Sequence, residues 1–199
     1  MPRRFAPGHG PGLSVGGVSL VPLKTGAPAA PRPDDIVDLL LDCHQRLRLF
    51  TTLAVQLAEQ PSALPGEVRE VTGKVHRYFT VALPLHEEDE ERSLFPRLLV
   101  RAPELAATVA RLREEHEAHA VRVGALVALC QELQTWPERF VSLRGDLNAA
   151  AWALEETWRV HLTLEETELF PALRTALSAA DQAAIREEMK ARRARLPPK

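Results

Sequence analysis

A stretch that occurs twice in the chain carries residue types that bind metal ions. Residues 86–98 read HEEDEERSLFPRL, and residues 161–173 read HLTLEETELFPAL. Both copies contain a His, a Glu four residues later, and then Leu-Phe-Pro. Four residues advance a helix by about 400°, so this His and Glu share one face, about 6 Å apart along the axis. His86 with Glu90, and His161 with Glu165, are therefore each predicted to form half of a metal site.

Four His residues and two Glu residues complete a ligand set for two metal ions. The imidazoles belong to His44, His86, His116 and His161, one on each of four expected helices. Burying four imidazoles and two carboxylates without partners is costly, and a pair of cations removes that cost. Nitrogen and oxygen donors without a thiolate suit iron, manganese, zinc or copper. If Glu90 and Glu165 each reach both ions, positions remain for a bridging oxygen and for O₂, peroxide or NO, which favours a non-haem di-iron centre.

Four long helices must position these side chains, so we expect an all-α, up-and-down four-helix bundle. Pro84 falls inside the second helix and is expected to kink it just before His86. Pro96 and Pro171 are expected to end or bend the second and fourth helices. The expected helices cover residues 35–59, 67–95, 103–134 and 138–170, and Asp34 or Asp35 is the expected N-cap of the first. A shorter helix is expected from about residue 179, with Ser178 as its N-cap.

The domain organisation follows from composition. Residues 1–33 are rich in Pro and Gly and are expected to form a flexible, disordered N-terminal arm. Residues 34–175 are expected to form the bundle, and residues 176–199 a short C-terminal helix with a basic tail. The charges of that tail are expected on a solvated face near a helix C-terminus; they belong to Lys190, Arg192, Arg193 and Arg195.

Overall charge and cysteine content exclude several classes of protein. The net charge of −2 gives no reason to expect nucleic acid or an anionic membrane as a partner. No run of about 18 apolar residues is present, so no membrane-spanning helix is expected. Cys43 and Cys130 are too few for a disulfide framework or a Cys-based cluster. We therefore expect a cytoplasmic protein.

The ligand pattern resembles that of the hemerythrin-like, cation-binding HHE domain over about residues 34–175. The resemblance implies an up-and-down bundle around an oxo- or hydroxo-bridged pair of iron ions. By motif position it implies that His44, His86, His116 and His161 are terminal ligands and that Glu90 and Glu165 are bridging carboxylates. The matching pattern consists of His44, His86-x-x-x-Glu90 with Leu94-Phe95-Pro96, Glu115-His116, and His161-x-x-x-Glu165 with Leu169-Phe170-Pro171.

The sequence departs from the oxygen-carrying members of that family on the third helix. Those proteins use a fifth His four residues after the first, where this chain has Ala120. His119 instead lies three residues after His116 and could coordinate, hydrogen-bond to a ligand residue, or pack in the core. Glu87 could add a carboxylate to the centre.

Acidic residues close to the expected ligands need a separate interpretation. Most of those next to His86 are expected to form a solvated acidic face. Glu166 is expected near the ligands or at the surface, and Trp158 is expected to wall the cavity. The acidic face consists of Glu87, Glu88, Asp89 and Glu91.

Three functions fit this sequence. The first is a di-iron protein that binds or senses a small ligand such as O₂ or NO, or handles iron under oxidative or nitrosative stress. The second is a di-iron enzyme that reduces NO or peroxide, or supports iron–sulfur repair. The set of four His and two Glu resembles the branch of the family that is similar to bacterial iron–sulfur repair and nitrosative-stress proteins. The Cys-bearing N-terminal extension typical of that branch is not seen in residues 1–33. The third is a metal-free helical interaction module. Sensing or turnover would need a separate signalling partner or electron donor.

Overall fold

The computed structural model describes residues 35–196, and the predicted N-terminal arm lies outside them. These residues form helices and no strand. The α-helices are α1 (Ile36–Ala58), α2 (Pro65–Arg77), α3 (Leu83–Asp89), α4 (Phe95–Arg101), α5 (Ala106–Thr135), α6 (Phe140–Leu164), α7 (Phe170–Ala176) and α8 (Ala179–Ala194). Three π-helical segments join some of them: π1 (Tyr78–Ala82), π2 (Glu90–Leu94) and π3 (Glu165–Leu169).

Four helical rods form the predicted bundle. The first is α1, the second runs from α2 through α4, the third is α5, and the fourth runs from α6 through α7. Contacts join α1 to α2, α2 to α5, α5 to α6 and α6 back to α1, so the rods close a ring in chain order. The all-α, up-and-down bundle is therefore confirmed.

Two predicted N-caps begin helices in the structure. The Asp35 carboxylate accepts a hydrogen bond from the backbone N–H of Val37 at 2.9 Å, which begins α1. Ser178 and Asp181 form a reciprocal capping box that begins α8. These caps satisfy backbone donors that the first turn of each helix leaves free.

Pro96 and Pro171 do not end the second and fourth rods, so the expected ends at these residues were wrong. The alternative that they bend the rods, and the kink expected at Pro84, stay predictions. Pro84, Pro96 and Pro171 each stand two residues after a π-helical segment, and the helices continue to Arg101 and Ala176. In a π-helical turn the backbone bonds span five residues, as from the Phe95 N–H to the Glu90 carbonyl. The wider turn accommodates a proline ring and its missing N–H, which an ordinary α-helical turn does not.

The core is divided into two apolar clusters by a polar layer. The first cluster contains Leu47, Leu83, Leu126, Leu154 and Trp158 among its buried members. The second cluster contains the leucines nearest the polar layer on the other side, together with Ile185 and Met189 of α8. Those leucines are Leu40, Leu94, Leu112 and Leu169, each 0% exposed.

Within residues 35–196, no helix combines the length and the apolar character that a membrane crossing needs.

Two valines on α5 test whether this core carries the stability of the bundle. Val109 is 1% exposed, and Val121 is 79% exposed. We expect Val109→Ala to lower the free energy of unfolding by about 2 kcal/mol, because two buried methyl groups are lost. Val121→Ala should change it by less than about 0.5 kcal/mol. Urea denaturation measures both, and equal effects would contradict this assignment of the core.

Candidate metal centre

The six predicted ligand residues meet in the polar layer between the two clusters. Glu90 and Glu165 are each 0% exposed, and the imidazoles are at most 6% exposed. They come from all four rods, since α1, α3, α5 and α6 each supply one His and the two Glu residues begin π2 and π3. The imidazoles are those of His44, His86, His116 and His161.

Each carboxylate lies between two imidazoles and faces one of them with each oxygen. Glu90 Oε1 is 3.4 Å from His86 Nε2, and Glu90 Oε2 is 3.4 Å from His116 Nε2. Glu165 Oε2 is 3.0 Å from His44 Nε2, and Glu165 Oε1 is 3.5 Å from His161 Nε2. This is the arrangement that bridging carboxylates require. It divides the centre into half-site A, with His44 and His86, and half-site B, with His116 and His161.

These close atoms do not satisfy one another by hydrogen bonding. Within residues 35–196, both oxygens of Glu90 and of Glu165, with Nε2 of His44 and of His116, are buried without a hydrogen-bond partner. Leaving buried polar atoms unpaired is costly. Neighbouring ligands of one metal ion stand about 3 Å apart, because each is about 2.1 Å from the ion at roughly a right angle. The observed spacing of 3.0–3.5 Å therefore fits ligands that point at shared cations.

Three further carboxylates orient the imidazoles from outside. Nδ1 of His44 lies 2.8 Å from Glu166, Nδ1 of His116 lies 2.9 Å from Glu91, and Nδ1 of His161 lies 2.8 Å from Glu115. An Nδ1–H that donates to a carboxylate leaves Nε2 as the lone-pair nitrogen directed at the centre. This is the tautomer that a metal ligand needs.

The duplicated motif accounts for two of these contacts. In each copy a second Glu follows the candidate ligand Glu and contacts a His on another rod: Glu91 contacts His116, and Glu166 contacts His44. The Phe of each Leu-Phe-Pro stacks on the same imidazole. Phe95 is 6.3 Å from His116 and Phe170 is 5.0 Å from His44, measured between ring centroids. Each copy therefore supplies one carboxylate to the centre and fixes one His of a neighbouring rod.

The contacts of Glu91 and Glu115 with imidazoles were not predicted from the sequence. Glu91 was expected to be solvated, but its equivalence to Glu166 in the repeat was a signal that pointed to a shared role. Glu115 directly precedes His116, and its contact is with His161 on another helix. Nothing in the sequence indicates that partner.

Protons and metal ions compete for this centre. Burial opposes a proton on His44, but the carboxylates of Glu165 and Glu166 outweigh it and raise its pKa to about 9. Burial also opposes a proton on His116, but Glu90 and Glu91 raise its pKa to about 10. Burial and the charge of Glu165 raise the pKa of Glu90. Metal-free, the centre therefore holds protons that a cation must displace.

His119 and Glu87, the two open assignments, lie beside the centre. The His119 ring is 5.0 Å from the His161 ring and 4.8 Å from the Trp158 ring. Burial lowers the pKa of His119 to about 4, so this imidazole is neutral at pH 7. Within residues 35–196, His119 forms with Glu115 and His161 a group whose spacing suits a metal ion. Glu87 is half-buried and belongs to no such group.

Two charged residues expected at the surface are buried against each other, so those expectations were wrong. Asp89 is 0% exposed and Arg192 is 7% exposed. Arg192 donates to Asp89 at 2.6 Å and to Ser93 at 2.5 Å, and Arg193 donates to Asp89 at 2.7 Å. Each charge is buried because the other neutralises it. These contacts hold α8 against the second rod, which also contains Glu90.

The pH dependence of metal binding tests the competition with protons. We expect the affinity for Mn²⁺ to rise as pH increases from 6 to 9, because His44, His116 and Glu90 then lose protons more readily. Binding at pH 7 should release protons. Calorimetric titration in buffers of different ionisation enthalpy measures that release, and an affinity that falls with pH would contradict the assignment.

The buried ion pair gives a second test. Arg192→Ala leaves the Asp89 carboxylate with Arg193 alone, so we expect the metal-free protein to lose about 3 kcal/mol of unfolding free energy. Arg195→Ala, at an exposed position on the same tail, should cost less than about 0.5 kcal/mol. Urea denaturation of both variants decides the matter, and similar losses would mean that the contact does not stabilise the docking of α8.

Comparison with known proteins agrees with the geometry. The sequence profile of the hemerythrin HHE cation-binding domain matches residues 35–173. An uncharacterised protein of Haemophilus influenzae is 30% identical over 163 residues, which are 79% of this chain and 89% of that protein. The match covers every candidate ligand, and the chain belongs to the hemerythrin HHE cation-binding domain family.

Proposed function

We propose that this protein holds a pair of metal ions, iron in the first place, and uses them to bind a small ligand such as O₂ or NO. The observation that carries the proposal is a set of buried atoms that can bind a metal ion and that have no hydrogen-bond partner among residues 35–196. They are the carboxylate oxygens of Glu90 and Glu165 and the Nε2 atoms of His44 and His116. Two cations would satisfy all of them, and the family's cation-binding character supports the same interpretation.

The residues that would hold the ions divide between the two half-sites. His44 and His86 would serve half-site A, His116 and His161 would serve half-site B, and Glu90 and Glu165 would bridge them. Two neutral imidazoles and two carboxylate oxygens at each position suit iron or manganese, and also zinc. A non-haem di-iron pair supplies open coordination positions and a change of oxidation state.

The surrounding residues orient the imidazoles of the centre and limit the access of bulk water to it. Glu91, Glu115 and Glu166 hold three imidazoles in the ligand tautomer, which favours a rigid coordination geometry. The buried leucines on one side and the apolar cluster on the other limit solvent access. A small uncharged molecule crosses such a barrier more readily than a hydrated ion, which favours O₂ or NO.

Binding and sensing are preferred here over turnover. The Cys43 and Cys130 thiols stand on separate helices and form no cysteine cluster within residues 35–196. A ligand-induced change at the centre would pass to a separate partner. The rod from α2 to α4 is a route for that change, because it carries Glu90 and contacts α8.

Metal stoichiometry tests the proposal directly. We expect the purified protein, loaded with Fe²⁺ without oxygen, to retain about two irons per chain by plasma mass spectrometry. His86→Ala and His161→Ala should each lower the retained iron, because each removes one donor from a different half-site. The expected loss of thermal stabilisation by iron follows from linkage.

His76→Ala is the matched control, because His76 is a half-buried His on α2 outside the centre. It should retain wild-type iron. A wild-type protein that remains metal-free after loading with iron, manganese and zinc would overturn the proposal and leave the helical interaction module as the better explanation.

A further inference from the structure

The two layers that cover the metal centre differ in composition. On the α8 side, each of the four rods places a leucine four residues from a candidate ligand; these are Leu40, Leu94, Leu112 and Leu169. On the opposite side, each rod places a residue three positions from a candidate His; these are Leu47, Leu83, His119 and Trp158. The first layer is wholly apolar, whereas the second carries two polar side chains.

Both polar side chains lie over half-site B. His119 stands one turn from His116 on α5, and Trp158 stands one turn from His161 on α6. Leu47 and Leu83 occupy the equivalent places over half-site A. The two half-sites present the same types of donor. They differ in this layer and also at Nδ1, because His86 Nδ1 in half-site A has no hydrogen-bond partner among residues 35–196, whereas both imidazoles of half-site B contact a carboxylate.

Each of these two side chains has a buried polar atom that finds no hydrogen-bond partner in the part of the chain that the structure describes. Among residues 35–196, neither Trp158 Nε1 nor His119 Nδ1 has a hydrogen-bond partner, and both atoms are buried. The two residues are 3% and 5% exposed, and their rings meet edge to face at 4.8 Å. An indole N–H can only donate, so it calls for an acceptor. Two such atoms beside one half-site indicate a ligand that they would bind.

Trp158 also borders a cavity of about 300 Å³ between α1 and α6. Arg48, Thr51 and Thr163 are among its other lining residues. Trp158 therefore contacts this cavity on one side and the rings of His119 and His161 on the other. The cavity reaches the covering layer at Trp158, one of the two polar members of that layer.

We propose that the exogenous ligand binds at half-site B, held by the Trp158 indole N–H and by His119, and that it arrives through the cavity between α1 and α6. The ligand class is a small molecule that accepts hydrogen bonds. The inference rests on the proposed function, because it assigns the ligand position within that metal centre. It makes His119 and Trp158 positioning residues rather than metal ligands.

Azide is a suitable test ligand because it is small and accepts hydrogen bonds. With the iron-loaded, air-oxidised protein, spectral titration should show that Trp158→Phe weakens azide binding about five- to tenfold, which is what the loss of one hydrogen bond is worth. His119→Leu should weaken it similarly, and His119→Asn should restore part of the affinity. Trp152→Phe, on the exposed side of α6, is the matched control and should have no effect.

The melting temperature of the metal-free protein separates a role of His119 in ligand binding from a role in packing. In the metal-free protein His119→Leu should leave the melting temperature unchanged or raise it, since removing an unpartnered buried polar group is neutral or stabilising. A fall in melting temperature with unchanged azide affinity would assign His119 to packing and overturn the proposal. Faster azide association in Trp158→Ala would support the route through the cavity, and an unchanged rate would overturn it.

Metal content distinguishes failure of this inference from failure of the proposed function. If the wild type retains no iron, the proposed function fails. If wild type and variants retain equal iron and bind azide with equal affinity, the metal centre stands and the assignment of half-site B is wrong.

Discussion

The structure depends on the cost of placing two carboxylates side by side in the middle of a helical bundle. Glu90 and Glu165 are fully buried, and burial together with the charge of Glu165 raises the pKa of Glu90. The compensating positive charge must come from protons on the surrounding imidazoles or from metal ions. Protonation, metal binding and folding of this centre are therefore one linked equilibrium, and the apolar clusters on either side keep solvent from replacing either kind of cation.

Each copy of the duplicated motif forms one π-helical turn, and the position of that turn explains the residues that the two copies share. Each turn begins at a candidate ligand, Glu90 or Glu165, and is followed by Phe-Pro. Because its backbone bonds span five residues, side chains beyond it are rotated relative to an uninterrupted α-helix. One short segment can then direct a carboxylate into the centre, a second carboxylate at a neighbouring His, and a Phe onto that same imidazole. π-helical turns cost stability, and functional sites are where such local costs are retained.

The sequence was sufficient for features that depend on spacing along one helix. The bundle, the N-caps at Asp35 and Ser178, and the inward positions of the His and Glu residues all follow from local periodicity and capping chemistry. The features that were missed depend on partners distant in the chain. Asp89 and Arg192 are charged residues on polar stretches, and only their mutual contact explains the burial of both. Glu115 likewise has its role because α6 brings His161 to it.

The helices continue past Pro96 and Pro171 because a π-helical turn precedes each proline, and proline rules for α-helices do not include that case.

The ligand residues alone do not determine what such a centre does. Half-sites A and B have the same types of donor, so a difference in their behaviour must originate in the surrounding residues, among them those that cover each half-site. Leucine over a half-site gives a ligand no hydrogen bond, whereas an indole N–H and an imidazole lower the free energy of a ligand that accepts one. A side chain three residues from a ligand on the same helix reaches this position without disturbing the bundle. Members of one fold can thus differ in ligand while keeping one metal-binding pattern, and the covering layer is where their functions should be compared.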